Sequence, residues 1–336
     1  MRRSWRLVVC LSAHWLWTQQ LLPAQSPNPE QAFADVFAAV LTGENPDGGN
    51  WQAPGVYLGA AAARALPSQP DIARILGQDL HRYRVLVVPG FFSACASSGV
   101  MPAPVFDAAR EHLQVRHGVD VALLQVPNDS CENNGKLIAK YLFQHAADGR
   151  KYIVIGHSKG AADLQLALQE PAAAAMVAAF VSVAGAVRGS GLADTAAGIV
   201  LVGKLTESFG CVGRLGPALQ SLRSEERRAF VAAHPTPPVP SYSLVAASSL
   251  ANTSRSLRAS WLLLGAGLQP EDGMLIAADG VLPGGQFLGT ALADHVSVVQ
   301  DFQKTALAGL SIPYIFLVAS DSLERSTASE AADCIW

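Results

Sequence analysis

Short apolar runs recur along the chain, separated by longer amphipathic stretches. Arg84-Val85-Leu86-Val87-Val88, Val119-Asp120-Val121-Ala122-Leu123-Leu124, Lys151-Tyr152-Ile153-Val154-Ile155, Phe180-Val181-Ser182-Val183-Ala184 and Tyr242-Ser243-Leu244-Val245-Ala246 are rich in β-branched and aliphatic residues. Runs of this length and composition predict buried strands, and Gln286-Phe287-Leu288-Gly289 predicts a last one. Between them, Val105 to His117, Lys136 to His145 and Ala161 to Leu168 predict helices. Strands apolar on both faces and alternating with helices predict an α/β fold, a mostly parallel central sheet with helices on both faces. Ligands of such sheets bind at the carboxyl ends of the strands. Pro89-Gly90, Cys131 and Ser158 all fall at such ends.

Two regions depart from this rhythm. Residues 25–80 are broken by Pro27, Pro29, Pro46, Pro54, Pro67 and Pro70, with a turn at Gly48-Gly49-Asn50. Within them Phe33 to Leu41 has helical periodicity, and the alanine-rich Val56 to Leu66 predicts a second helix. Residues 192–240 are too long for an ordinary connection. They hold the apolar Gly198-Ile199-Val200-Leu201-Val202-Gly203, a charged helix from Leu222 to Val231, and the proline run Pro235 to Pro240. A long insertion above the strand ends is a candidate lid; an ordinary extra pair of helices is the alternative.

Composition sharpens the class. Half the 336 residues are hydrophobic and 15% are charged, which suits a globular chain with a large core. The net charge of −3, with no basic cluster beyond the first six residues, gives nucleic acid no point of attraction. No apolar run of about 18 residues occurs in the body of the chain, so no transmembrane helix is expected there. The amino terminus is different. Arg2, Arg3 and Arg6 precede an apolar core from Leu7 to Trp17, and Leu22-Pro23-Ala24 follows. That order reads as a signal peptide spanning residues 1–24, leaving a secreted or periplasmic domain of residues 25–336. Val9 is too bulky for a lipoprotein cleavage site before Cys10. Loss of Cys10 leaves Cys95, Cys131, Cys211 and Cys334, an even set that permits two disulfides; four buried thiols are the alternative.

The chemistry centres on Gly156-His157-Ser158-Lys159-Gly160, set between a strand and a helix. In that context G-x-S-x-G is a nucleophile elbow: a strained serine lifted above the sheet, with glycines where strand and helix pass closely. A serine hydroxyl needs a base, and the base an orienting carboxylate, in the order serine, acid, histidine. Only His234 and His295 follow Ser158. His234 stands beside the proline run, whereas His295 follows the last strand, so His295 is the expected base. Among the carboxylates, Asp163 belongs to the elbow helix, Asp194 precedes the insertion and Asp294 adjoins the histidine. Asp272, at the glycine-assisted turn Asp272-Gly273-Met274, is the preferred acid, with Asp279 second and Glu271 an outsider. The oxyanion donors are expected to be the backbone N–H groups of Lys159 and Phe91. Phe91 and Phe92 either face an acyl pocket or pack in the core.

In series these blocks resemble the bacterial secreted triacylglycerol lipases of the α/β-hydrolase superfamily, from about Val85 to Asp301. Val88-Pro89-Gly90-Phe91 is similar to the family's oxyanion strand and turn, with proline in place of its usual histidine. Val181 to Ser190 is similar to the strand ending in a proline-histidine-x-glycine-serine turn, with Ala186 and Val187 in place of proline and histidine. Tyr242-Ser243, Asp272-Gly273-Met274 and Asp294-His295 are similar to the acid and base blocks. The resemblance implies an α/β-hydrolase fold with a helical lid-like insertion. It also implies a secreted serine hydrolase that cleaves carboxylic esters through an acyl-enzyme. The substrate would be an acyl ester or lipid, with transient contact to a lipid surface. Thioesterase and polyhydroxyalkanoate depolymerase activities need the same triad, and a non-catalytic lipid- or partner-binding hydrolase fold is the rival from another class. No cofactor is implied. Calcium-dependent members carry an aspartate two residues after the histidine, where this chain has Ser297, and another before the acid, where it has Arg255 to Arg258. The family's calcium is therefore not carried over. The strands ending at Val88 and near Leu124 are neighbours in this fold, which implies a Cys95–Cys131 disulfide and leaves Cys211 to Cys334.

Overall fold

The computed structural model describes residues 28–43, 58–59, 80–91, 106, 110–145, 148–208 and 215–299. Residues 1–24, expected to be a signal peptide, together with Phe92 and the cysteines other than Cys131, lie outside the described residues.

Among the described residues six strands form one sheet: β1 Tyr83–Val88, β2 Val121–Leu123, β3 Lys151–His157, β4 Val177–Val183, β5 Ser241–Ala246 and β6 Gln286–Ala291. Their order is β2-β1-β3-β4-β5-β6, and every neighbouring pair is parallel. The α-helices among the described residues, in chain order, are α1 Pro29–Gly43, α2 Cys131–Gln144, α3 Lys159–Ala167, α4 Pro171–Ala175, α5 Gly191–Asp194, α6 Ala196–Ser208, α7 Gly216–Gln220, α8 Ser224–Ala233 and α9 Arg258–Leu264.

The period of two within each strand sorts side chains onto two cores. Val85, Val87, Ile153, Ile155, Val181 and Leu244 pack with Phe33 and Phe37 of α1. Leu86, Val88, Val154 and Phe180 pack on the other face with Ile138 and Leu142 of α2 and Leu164 of α3. Both faces of β4 are covered and all seven of its residues are buried, which is why it reads as an unbroken apolar run. Burying one such side chain stabilises the fold by roughly 1.5–3 kcal/mol. Gly135 lets α2 close on α3, since a Cβ there would come 3.0 Å from the Leu166 Cβ.

Three local expectations are refined or corrected. The helix expected from Val105 to His117 is present over the described residues 110–117, with His112–Arg116 wound as a π-helix, and Phe106 stands in a turn. The strand expected from Val119 to Leu124 is regular only over Val121–Leu123, because as the sheet edge it pairs with β1 alone. Leu58 and Gly59, assigned to an alanine-rich helix, are extended. Leu58 forms an antiparallel bridge with Ala291, and the Gly59 N–H donates to the Thr290 carbonyl at 3.0 Å. An extended segment there gives the β6 edge a backbone partner that a helix could not supply.

Residues 192–240 carry α6 to α8. Arg227 of α8 is buried, and its guanidinium donates to Gln165 Oε1 of α3 at 2.6 Å and to the Val187 carbonyl at 3.3 Å. That contact ties the second half of the insertion to the elbow helix. Val202 and Leu205 of α6 are buried, whereas Ile199 and Val200 are exposed. Among the described residues no helix is long and apolar enough to cross a membrane.

Candidate active site

The site is assembled where β3, β5 and β6 end. Ser158 follows the last residue of β3 and precedes the first turn of α3. Its backbone sits at φ 54° and ψ −127°, a conformation that costs a non-glycine residue energy and persists only when its surroundings enforce it. The surroundings do so through three glycines. A Cβ on Gly156 would lie 2.5 Å from the Ala161 Cα, one on Gly160 only 2.0 Å from the Val88 carbonyl oxygen, and one on Gly90 2.5 Å from the Ser158 Cβ. The first two let strand and helix pass; the third lets the loop after β1 lie against the nucleophile.

Ser158 Oγ is 2.8 Å from His295 Nε2, and His295 Nδ1 is 2.7 Å from Asp272 Oδ2. A carboxylate only accepts, so Nδ1 carries the hydrogen and Nε2 faces Ser158 as an acceptor. The acid and base are buried and Ser158 is half-buried. Asp272 is held on its second oxygen too: Oδ1 accepts from the N–H groups of Met274 at 2.9 Å and Leu275 at 2.7 Å. The tight turn at Gly273, with φ 91°, aims both donors back at the carboxylate. Such a buried carboxylate is tolerable because donors meet it on both oxygens.

Lys159 begins α3, so its N–H is one of the helix's unpaired first-turn donors. A Cβ on Gly90 would come 3.0 Å from that nitrogen, so the Gly90-Phe91 loop, Ser158 and the Lys159 N–H converge. The Phe91 side chain packs against an apolar cluster that includes Leu192, Leu205 and Leu257 and is flanked by Val296. The side chain of Lys159 turns away from the site. Its ammonium pairs with Asp163 at 2.5 Å, both groups buried, and Asp163 also accepts from Asn134 Nδ2 at 2.9 Å. Burial pushes the Asp163 carboxyl up, against the pull of the Lys159 charge.

The remaining candidates are placed elsewhere. Asp279 pairs with Arg228 at 3.4 Å, and Asp194 accepts from the Ser224 N–H at 2.8 Å. Glu271 is buried, accepts from the Gly267 N–H at 2.8 Å and is pushed up chiefly by burial. His234 stacks on Phe230. Asp294 is buried and filled by four donors: the Val296 and Ser297 N–H groups at 3.0 and 2.8 Å, and the Ser254 N–H and hydroxyl at 2.8 and 2.5 Å. Next to His295 in the chain, it shapes the turn that carries the histidine. Among the described residues no cluster of three or more His, Cys, Asp or Glu side chains is arranged to hold a metal.

The expected Cys95–Cys131 bridge is corrected. Cys131 is a free thiol. Ser130 caps α2 by accepting from the Asn133 N–H at 3.2 Å, which makes Cys131 the first helical residue. Its side chain is fully buried beside Ser221, with the Ser221 hydroxyl 3.3 Å from the sulfur. The strands β1 and β2 are neighbours, but this thiol faces Ser221 of the insertion. Burial pushes it up to about 12.

A strand-turn-helix serine with a histidine and an aspartate arriving later from the ends of a parallel sheet defines the α/β-hydrolase fold. Among solved structures, the chain is similar to a metagenomic carboxyl esterase, MGS0156, at 28% identity and a TM-score of 0.69, over 90% of this chain and 92% of that one. It is also similar in fold to the lipase BlEst2 of Bacillus licheniformis in its mature form, at 21% identity and a TM-score of 0.54, over 71% of this chain and 92% of that one. No family model and no curated protein sequence matches the chain.

Proposed function

We propose that this protein is an exported serine hydrolase that cleaves carboxylic esters through an acyl-enzyme at Ser158. The observation that carries the reading is the unbroken relay from Ser158 Oγ through His295 to Asp272, at 2.8 and 2.7 Å. The carboxyl esterase similar over most of both chains supports the ester as substrate. The charged start and apolar core of residues 1–24 support export.

In this reading Ser158 Oγ attacks the ester carbonyl carbon as His295 Nε2 takes its proton. Asp272 holds the ring in the tautomer that allows this and stabilises the imidazolium that forms. The Lys159 and Phe91 N–H groups donate to the oxyanion. Collapse of the tetrahedral intermediate breaks the carbon–oxygen bond, and His295 returns the proton to the departing alcohol. Water then enters, His295 removes its proton, and a second collapse frees the acid and restores the Ser158 hydroxyl. The apolar cluster around Phe91 and Val296 suits an aliphatic acyl group.

Hydrolysis of p-nitrophenyl esters of increasing chain length tests this directly. Turnover rising from acetate to medium chains is expected. No turnover of any ester above the rate of the Ser158→Ala protein overturns the reading.

A further inference from the structure

The polar atoms of His295 can be accounted for one by one. The ring nitrogens go to Asp272 and Ser158. The backbone N–H donates to the Asp272 carbonyl at 2.8 Å. That leaves the backbone carbonyl, which lies on a turn after β6 where no strand ladder can meet it. Its partner is the side chain of His157, whose Nε2 stands 2.9 Å away.

His157 is the first of the two variable residues of the elbow motif. As the last residue of β3, its side chain leaves the sheet beneath the histidine-bearing loop. It is buried, with Phe106 edge-on to its ring at 5.9 Å and the His295 ring at 4.8 Å. A carbonyl oxygen only accepts, so His157 must carry its hydrogen on Nε2. Burial and the neighbouring His295 hold His157 well below the ordinary imidazole value, which keeps the ring neutral and able to make this bond without introducing a charge. An apolar side chain would fill the same space against Phe106. Only the His295 carbonyl calls for a donor.

Resting on the serine-hydrolase reading above, we infer that His157 is a positioning residue: its Nε2–H holds the His295 backbone so that the imidazole stays in line between Asp272 and Ser158. The elbow motif then supplies both the nucleophile and the strut for its base from consecutive residues. Any shift of β3 moves the two together.

The test compares His157→Leu, which removes the donor, with His157→Gln, whose side-chain amide restores one at a similar reach. His157→Leu is expected to lower kcat on a short ester by roughly 10- to 100-fold, the scale of a misplacement of about 1 Å. KM should change by less than about 3-fold, because substrate binding does not involve the strut. His157→Gln should recover most of the loss. A His157→Leu protein with normal kcat, or Leu and Gln variants equally impaired, overturns the inference. Should His157→Leu not fold, His157→Met carries the same comparison. In the wild-type protein, nitrogen-15 NMR of the histidines at neutral pH should find the His157 hydrogen on Nε2; finding it on Nδ1 also overturns it. Fluorophosphonate labelling separates the two levels. Wild-type protein unlabelled at Ser158 defeats the serine-hydrolase reading itself. Wild-type labelled, with His157→Leu labelled equally fast, defeats only the positioning role.

Discussion

Ser158 and Lys159 are consecutive, yet their side chains serve two different buried polar constellations. Ser158 joins His295 and Asp272 at the end of the sheet, on a strained backbone and half-buried. Lys159 turns under the elbow to Asp163, which is held by Asn134, with the Cys131 thiol and Ser221 hydroxyl close by. Both sets are hydrogen-bonded. They differ in what meets the outside. The first places a hydroxyl beside a half-buried loop, where the proposed function puts the substrate. The second is sealed between α2, α3 and the insertion, with Lys159 and Asp163 only 2% and 1% exposed. A reactive constellation therefore needs access and strain as well as satisfied polar groups. A sealed one works as structure.

Substitutions can break that contrast. Ser158→Ala has the largest expected effect, a loss on the order of 10⁴-fold or more in kcat with little change in melting temperature. Near-normal turnover by the purified variant would place the nucleophile elsewhere. Asp272→Asn should cost roughly 10⁴-fold, because asparagine favours the wrong histidine tautomer. Asp279→Asn, which disturbs only a surface pair with Arg228, should leave kcat within a few-fold. A larger loss at Asp279 would move the acid.

Asp163→Ala probes the sealed set. It leaves the Lys159 ammonium buried without its partner, and an uncompensated buried charge of this kind costs about 3–5 kcal/mol of stability. Chemical denaturation should show that loss, while kcat per titrated active site stays within a few-fold. A collapse of kcat at unchanged stability would make the lower constellation part of the chemistry. The smallest effect concerns Cys131. A buried thiol pushed up to about 12 holds almost no thiolate at neutral pH, so Ellman's reagent should reach it only on unfolding. Rapid labelling in the native protein, or a Cys95–Cys131 peptide under non-reducing conditions, would contradict the sealed picture.

How much of this was legible in the sequence follows from which signals are local. The strands were legible because buried parallel strands are continuous apolar runs, as β3 and β4 show. Ser158 was legible because its glycines record a steric requirement: a Cβ added at Gly160 or Gly156 would come within 2.0 or 2.5 Å of the neighbouring backbone. His295 and Asp272 were singled out by chain order and by one glycine-assisted turn, and the fold brings His295 to Ser158 and Asp272 to His295. Side-chain direction was the harder part. Nothing local says that Cys131, first in its helix, faces inward to Ser221. The His157 contact to the His295 carbonyl was hidden because the motif treats its position as free; a polar ring at the end of a buried strand was the signal available. Leu58 and Gly59 lay in an alanine-rich stretch whose propensity is helical, and the β6 edge, more than 200 residues on, overrode it.

The central claim is that Ser158 carries the acyl group. Rapid acid quench of the protein during turnover of p-nitrophenyl acetate, followed by peptide mass analysis, tests it most directly. The account predicts one acetyl group on the peptide containing Ser158, absent from Ser158→Ala. An acetyl group on another residue, or steady turnover with no acylated peptide in protein quenched before the first cycle ends, would contradict it.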